Sequence, residues 1–122
     1  MNRILRSLNN MAEFDLNSRA GEANYSVYVL DVIPLSENCK YHLYVGSTWK
    51  SVEDRYAEHR EGGSKAARIF RSGATVGDIR WDLMDGFPKF YSREAAERAE
   101  GRVAKWLTNK GFIVRCNKLE LD

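Results

Sequence analysis

Two apolar runs in the first half of the chain predict a β-hairpin. Residues 25–33 are rich in β-branched and aromatic side chains, and Pro34 ends that run. Residues 41–46 form a second run of the same kind, and a short polar loop separates the two. Because a loop of this length joins neighbouring strands directly, the two runs are expected to pair in an antiparallel arrangement.

Helix signals follow the hairpin and return near the C-terminus. A helix is predicted over residues 51–60, capped by a serine at its start and ended by the glycines at 62 and 63. A second, short helix capped by Ser64 is predicted over residues 64–70. The longest helix is predicted over residues 92–110, with Gly111 in the position after its C-cap.

Two further segments complete the predicted sheet. Residues 79–84 alternate between apolar and polar side chains, which is typical of a half-buried strand. Residues 112–116 form a short extended segment. The resulting order is ββααβαβ, which favours an α/β (α+β) domain: a small, mostly antiparallel β-sheet flanked by helices.

The length and composition suit one soluble domain. The chain has 122 residues, of which 43% are hydrophobic and 30% charged, so one core is expected and disorder is not. Residues 1–24 are interpreted as an N-terminal extension whose early part forms a helix packed on the domain, and residues 21–24 as a loop. Residues 25–117 are interpreted as the domain itself, and residues 118–122 as a tail.

Targeting signals and cysteine usage favour a cytoplasmic protein. No apolar run approaches the roughly 20 residues that span a bilayer, and the N-terminus has no apolar segment of the secretory kind. A cytoplasmic location without membrane contact is therefore the expectation. The two cysteines, Cys39 and Cys116, are far apart and are interpreted as reduced thiols.

The charge distribution permits nucleic-acid binding only through a local patch. The net charge is +2, so the chain as a whole is not basic. One basic stretch has only Glu61 and Asp78 as acidic members; its cations are Arg60, Lys65, Arg68, Arg71 and Arg80. A solvated helix face explains such a stretch more often than DNA binding does.

A carboxylate interrupts the apolar stripe of the longest predicted helix. Ala96, Ala99, Val103 and Leu107 share one helix face at 100° per residue, and Glu100 falls inside it. A carboxylate in a buried stripe is costly unless it is paired or bound to a metal ion. A structural ion pair with an arginine at the core edge is the alternative to a metal site.

Four more side chains and one glycine are candidates for the same site. Arg55 and His59 are four residues apart and therefore share a helix face, which a solvent-exposed face would also explain. Tyr28 and Tyr44 would be cross-strand neighbours on one face if the hairpin loop is symmetric, although paired tyrosines usually serve as core. Gly46 permits a close backbone approach or an unusual φ.

Together these residues resemble the GIY-YIG endonuclease family. Residues 26–28 (Ser-Val-Tyr) stand where the GIY triplet would be, and residues 44–46 (Tyr-Val-Gly) resemble YIG. The pair at positions 55 and 59 resembles the R-x-x-x-H of that family's first helix. Glu100 resembles its metal-binding glutamate, and Asn117 its terminal asparagine. The resemblance covers residues 25–117.

The resemblance implies hydrolysis of DNA phosphodiester bonds with one divalent metal ion, Mg²⁺ or Mn²⁺. Glu100 would hold the metal ion, and Arg55 would pair with the scissile phosphate through its planar fork. Tyr28 would act as general base or position the water. Tyr44 would hydrogen-bond the water or Tyr28, and the two tyrosine roles could be exchanged.

The remaining residues and partners are implied in the same way. His59 would relay or orient a proton, and Asn117 would brace the site. Contacts to the DNA backbone are expected from Lys50, Lys65, Arg68 and Arg71. A homodimer or a partner protein would supply target recognition and the cut in the second strand. Two alternatives remain: a catalytically inactive nuclease-like DNA-binding module, and a structural domain with no role in nucleic-acid binding.

Overall fold

The computed structural model describes residues 3–18 and 23–116 of the chain. In chain order the elements are α1 (Arg3–Ser18), β1 (Ser26–Pro34), β2 (Leu43–Thr48), α2 (Val52–Glu61), a 3-10 turn (Arg68–Phe70), β3 (Ala74–Ile79), α3 (Trp81–Met84), α4 (Arg93–Asn109) and β4 (Val114–Cys116).

The four strands form one mixed sheet in the order β3-β1-β2-β4. β1 pairs antiparallel with both β2 and β3, whereas β4 runs parallel to β2. Helices flank this sheet, so the predicted α+β class with a small, mostly antiparallel sheet is confirmed, as is the hairpin.

The strand register of the hairpin is shifted by two residues from the register that a symmetric loop would give. Tyr28 lies opposite Gly46, and Tyr44 lies opposite Leu30, so the two tyrosines are diagonal neighbours. The condition of a symmetric loop is therefore not met, and the two tyrosines do not lie directly opposite each other. The prediction of a shared face holds, because side chains alternate with a period of two and a two-residue displacement preserves the face.

The prediction of a strand over residues 79–84 is wrong. The strand is Ala74–Ile79, and the residues after it form the short helix α3. Arg80 lies at the change of structure: its backbone N–H still donates to the Val29 carbonyl, and its guanidinium pairs with Asp31 and Asp82. These ion pairs anchor the chain where it leaves the sheet, and alternation of apolar residues does not reveal them.

The helix predicted over residues 64–70 is also wrong in extent. Only a 3-10 turn, Arg68–Phe70, forms there, and Ala67 rather than Ser64 precedes it. No α-helix runs through the segment because Ala67 is extended (φ −61°, ψ 151°) and its backbone N–H donates to His59.

The structure confirms the predicted ends of the two longer helices, α2 and α4. Ser51 caps α2 by accepting a hydrogen bond from the Asp54 N–H at 3.1 Å, and Gly62 ends it in the left-handed region at φ 71°. Ser92 caps α4 in the same way through the Ala95 N–H at 3.1 Å. These caps fix the start of each helix, and so fix the direction in which its functional side chains point.

The N-terminal helix packs on the domain as expected. Ile4 and Leu8 of α1 are buried in the main core, and α1 contacts α4. Part of the loop predicted over residues 21–24, together with Asn117 and the predicted tail, lies outside the described residues. In the described part of the chain, no helix is long and apolar enough to cross a membrane.

Candidate active site

An aromatic cluster at the junction of β1, β2 and α2 gathers three of the predicted residues. Tyr28, Tyr44 and His59 are each only 1% exposed. The Tyr28 ring centroid lies 6.2 Å from that of Tyr44 and 5.9 Å from that of His59, and Phe70 closes the cluster 5.1 Å from His59. The alternative of a solvent-exposed helix face therefore does not hold for His59.

Gly46 allows the Tyr28 ring to lie against the neighbouring strand. A Cβ atom at position 46 would be 2.5 Å from the Tyr28 hydroxyl oxygen and 3.0 Å from the Tyr44 ring. The φ of Gly46 is not positive, so it is close approach rather than unusual backbone conformation that requires glycine here. The glycine determines where the Tyr28 hydroxyl lies.

The hydrogen bonds of His59 define its tautomer. The Ala67 backbone N–H donates to His59 Nδ1 at 3.0 Å, so Nδ1 carries no proton. In a neutral imidazole the proton is then on Nε2, which lies 2.8 Å from the Tyr28 hydroxyl oxygen. His59 therefore donates to Tyr28. This arrangement favours orientation of the phenol over acceptance of its proton.

Burial keeps His59 neutral. Desolvation, followed by the nearby Arg55 charge, lowers the pKa of His59 to about 4, while Glu58 opposes the shift. A neutral ring is also what the Ala67 hydrogen bond requires. The geometry and the pKa thus agree on one state of His59 at neutral pH.

The two tyrosines differ in what surrounds their hydroxyl groups. Burial raises the pKa of both phenols, but the charge of Arg55 and a hydrogen bond from it lower the pKa of Tyr28. The neighbouring Tyr28 instead raises the pKa of Tyr44 further. Within the described residues no hydrogen bond to Tyr44 Oη has good geometry, although the Tyr44 hydroxyl is close enough to Tyr28 to lower the pKa of that phenol.

Glu100 lies within the buried stripe of α4, as the helix pattern predicts. It is 3% exposed, and its carboxylate accepts a hydrogen bond from Ser47 Oγ at 2.5 Å. The Cys116 sulfur lies 3.7 Å from the other carboxylate oxygen. Because Ser47 follows Gly46 on β2, the carboxylate adjoins the same stretch of strand as the tyrosines.

Arg55 is held at the edge of the cluster by two acceptors. One guanidinium nitrogen donates to the Glu58 carboxylate at 2.7 Å and to the Lys65 carbonyl at 2.6 Å. Lys50 also pairs with Glu58, and the two cations lower the pKa of that carboxyl to about 2. The pKa of Arg55 is raised: burial opposes the shift, and the hydrogen bond to Glu58 outweighs it. Both groups remain charged at neutral pH.

An open cleft of about 600 Å³ lies beside these residues. Ser47 and Arg55 line it, so the cleft reaches both the Glu100 contact and the guanidinium. The other cations that line it are Lys50, Lys65 and Arg93, and Glu58 is the one carboxylate among its described lining residues. We call this surface the cationic cleft. Its charge complements a polyanion.

The predicted backbone-contact residues separate into two groups. Lys50 and Lys65 line the cationic cleft, but Arg68 and Arg71 do not. Arg68 lines a different depression, together with Cys39 and Tyr41. The basic stretch read from the sequence is therefore not one surface, because the 3-10 turn directs its later members away from the cleft.

The donor atoms at Glu100 fit a hard cation held by few protein ligands. In the described residues, no group of three or more His, Cys, Asp or Glu side chains is arranged to hold a metal ion. One carboxylate beside a hydroxyl group agrees with magnesium, which commonly takes one or two carboxylates and completes its shell with water and phosphate oxygens. A zinc-like site of several His and Cys ligands does not fit.

Several residues of the site carry no signal that sequence reasoning used. Ser47 contacts Glu100, and Glu58 holds Arg55 and Lys50 together. Trp49 is 67% exposed and lines the cationic cleft with Arg93. The spacing of Glu58 three residues after Arg55 on a helix was the one available signal.

Comparison with known proteins adds no family to this geometry: no protein-family model, no curated protein and no solved structure matches the chain.

Proposed function

We propose that the protein is a metal-dependent endonuclease that hydrolyses phosphodiester bonds of DNA at the mouth of the cationic cleft. One observation carries the proposal: the cleft, whose charge suits a polyanion, is lined by Ser47, which contacts a buried carboxylate, and by Arg55, which interacts with a buried phenol. The phenol of Tyr28 interacts electrostatically with both Arg55 and Glu100, so the three groups belong to one cluster. The resemblance to GIY-YIG endonucleases agrees with this assignment.

Arg55 binds the scissile phosphate in this mechanism. Its planar fork suits two phosphate oxygens, and Glu58 and the Lys65 carbonyl already fix its orientation before substrate arrives. Lys50 adds a second cation next to it. Preorganised charge of this kind stabilises the extra negative charge of the transition state without reorganisation.

Tyr28 removes the proton from the attacking water. Burial opposes ionisation of the phenol, so the groups that contact its oxygen must stabilise the phenolate. His59 donates a hydrogen bond from Nε2–H to that oxygen, and Arg55 contributes its charge. Because His59 supplies a hydrogen bond and does not accept the phenol proton, Tyr28 acts in its phenolate form: its own proton has left to solvent before the attack, and the phenolate oxygen then takes one proton from the water. The Tyr44 hydroxyl, which is close to that of Tyr28, would bind the water or hydrogen-bond Tyr28.

Glu100 and Ser47 would hold the divalent cation. Mg²⁺ or Mn²⁺ supplies Lewis-acid stabilisation of the phosphate and of the leaving oxygen when bound. The Ser47 hydroxyl lies between the carboxylate and the cationic cleft, where its hydrogen bond orients the carboxylate toward the phosphate-binding side.

A plasmid relaxation assay tests the proposal. Purified protein with Mg²⁺ or Mn²⁺ is expected to convert supercoiled plasmid to the nicked form, since one site per chain cuts one strand. Removal of the cation with EDTA and the Glu100→Gln substitution should each abolish nicking. Glu94→Gln, an exposed position on the same helix, is the matched control and should retain it.

The two rival functions predict different outcomes in the same assay. An inactive DNA-binding module would leave the plasmid supercoiled under every condition while it binds DNA with an affinity that falls as salt rises. A structural domain would show neither nicking nor salt-sensitive DNA binding. Equal nicking by the wild type and Glu100→Gln would remove the carboxylate from the mechanism.

A further inference from the structure

A second basic surface lies between α1 and α4. Arg3 and Arg6 of α1 face Arg98 and Arg102 of α4 across an open groove of about 620 Å³. We call it the arginine groove. Among the described residues that line it there is no carboxylate. Four guanidinium groups brought together by two separate helices repel one another, so the groove is suited to an anionic ligand.

The arginines of this groove are available to a ligand. In the described residues, none of the four forms an ion pair with a carboxylate. Arg102 donates to Ser7 Oγ at 2.7 Å, a neutral acceptor that orients the guanidinium and leaves its charge uncompensated. Arg3, Arg6 and Arg98 are exposed.

The arginine groove and the cationic cleft lie on opposite flanks of α4. Arg93 lines the cleft, and Arg102 lines the groove nine residues later. At 3.6 residues per turn, nine residues correspond to about 180° around the helix axis. The buried stripe of α4 lies between the two flanks, so a straight duplex that occupies the cleft does not extend into the groove.

We propose that the arginine groove binds the phosphate backbone of a second arm of a branched or flapped nucleic acid while the first arm occupies the cationic cleft. The choice of substrate rests on the proposed nuclease function, whereas the binding of phosphates by the groove does not. Arginine suits this ligand because its planar fork binds phosphate oxygens in pairs.

A lipid surface fits the groove less well than a nucleic-acid backbone. Surface-binding helices expose their apolar face to the acyl region. In α1 that face is turned inward: Ile4 and Leu8 are buried in the protein core. Among the described side chains of α1, those of residues 3–14, the one large apolar side chain that is exposed is Phe14, which lines the groove.

The test is a comparison of DNA affinities in the presence of EDTA. The double substitution Arg6→Gln/Arg98→Gln removes two groove charges at exposed positions. Lys40→Gln/Lys110→Gln removes the same charge from exposed positions that line neither surface. Binding of labelled straight duplex, flap and three-way junction is measured by fluorescence anisotropy over a range of KCl concentrations, and thermal melts verify folding.

The expected result is specific to substrates with more than one arm. The groove variant should lose about tenfold or more in affinity for flap and junction, with a salt slope smaller by about 2, since each phosphate contact contributes about 0.9. Its affinity for straight duplex, and both affinities of the control, should stay within about twofold of wild type.

Three outcomes would overturn the proposal. The first is an unchanged affinity of the groove variant for the junction, and the second is an equal loss of affinity for duplex and junction. The third comes from co-sedimentation with phosphatidylserine vesicles: if the groove variant loses only vesicle binding, the groove is assigned to a membrane surface. Because no step is catalytic, these results are independent of whether the protein cleaves DNA. A lack of cleavage with intact junction selectivity would remove the nuclease function and leave the groove assignment standing.

Discussion

Acidification is expected to destabilise the fold through His59. The buried ring has a pKa of about 4, whereas the unfolded chain restores the ordinary value of 6.5. Between these values the unfolded state binds more protons than the folded state, so the free energy of unfolding falls as pH falls. The contribution of the neutral ring is complete above pH 6.5 and is lost as pH drops toward 4.

The magnitude follows from the separation of the two pKa values. Each pH unit within the window is worth about 1.4 kcal/mol for one proton. From pH 7 to pH 4.5 the loss is therefore about 2 to 3 kcal/mol. This is a large share of the 5 to 15 kcal/mol typical of a domain. Glu58, with a pKa of about 2 against the usual 4.5, contributes mainly below this window.

Urea unfolding at a series of pH values measures this effect. The wild type should lose about 2 to 3 kcal/mol more than His59→Gln over the window. An NMR titration of the His59 ring gives the same quantity without a substitution. Equal pH slopes in the wild type and His59→Gln, or a ring that titrates near 6.5, would refute a buried neutral imidazole that donates to Tyr28.

Three further substitutions probe the site. In Gly46→Ala the new Cβ would lie 2.5 Å from the Tyr28 hydroxyl oxygen and should displace it. The cleavage rate should therefore fall far more than the DNA affinity. An equal loss of rate and affinity would contradict a positioning role for Gly46. Tyr28→Phe should reduce the cleavage rate by about 10²- to 10⁴-fold, and the rise in rate with pH that ionisation of the Tyr28 phenol would produce should disappear. A clearly larger loss in Tyr44→Phe would assign the base to Tyr44 instead. Glu58→Gln should raise DNA affinity several-fold and steepen its salt slope by about 0.9, because one carboxylate no longer neutralises Lys50 in the cleft; anisotropy titrations that show weaker binding would contradict this.

Local signals in the sequence were sufficient for the main elements of the fold. The serine caps and glycine stops of α2 and α4 depend on neighbouring residues alone, and the structure confirms them. The β1–β2 hairpin was likewise predictable from two β-rich runs and a short loop. β3 was not, because its Ala-Thr-Val-Gly-Asp-Ile sequence has a weak pattern and gains its structure from pairing with β1.

The candidate site was predictable only as far as helix and strand periodicity extend. Glu100 was found because it interrupts an apolar stripe, and its burial is confirmed. Its contact with Ser47 joins residues 53 positions apart, and the bond from Ala67 to His59 depends on the conformation of the intervening turn. Contacts of this kind arise from tertiary packing, to which no local pattern corresponds.

The arginine groove illustrates the same limit. Its cations come from α1 and α4, at opposite ends of the sequence, and no run of basic residues marks them. The basic stretch that the sequence does display is divided by the structure between different surfaces.

Single-turnover cleavage of labelled DNA tests the central claim most directly. A panel of duplex, nicked, flapped, branched and single-stranded substrates is incubated with excess wild type, Glu100→Gln or Glu94→Gln in Mg²⁺, Mn²⁺ or EDTA. We expect metal-dependent cleavage of at least one substrate by the wild type and by Glu94→Gln. In Glu100→Gln the rate should fall by about a thousandfold, or about 4 kcal/mol of transition-state stabilisation. Intact DNA throughout the panel, or an undiminished rate in Glu100→Gln, would contradict the proposed metal-dependent nuclease.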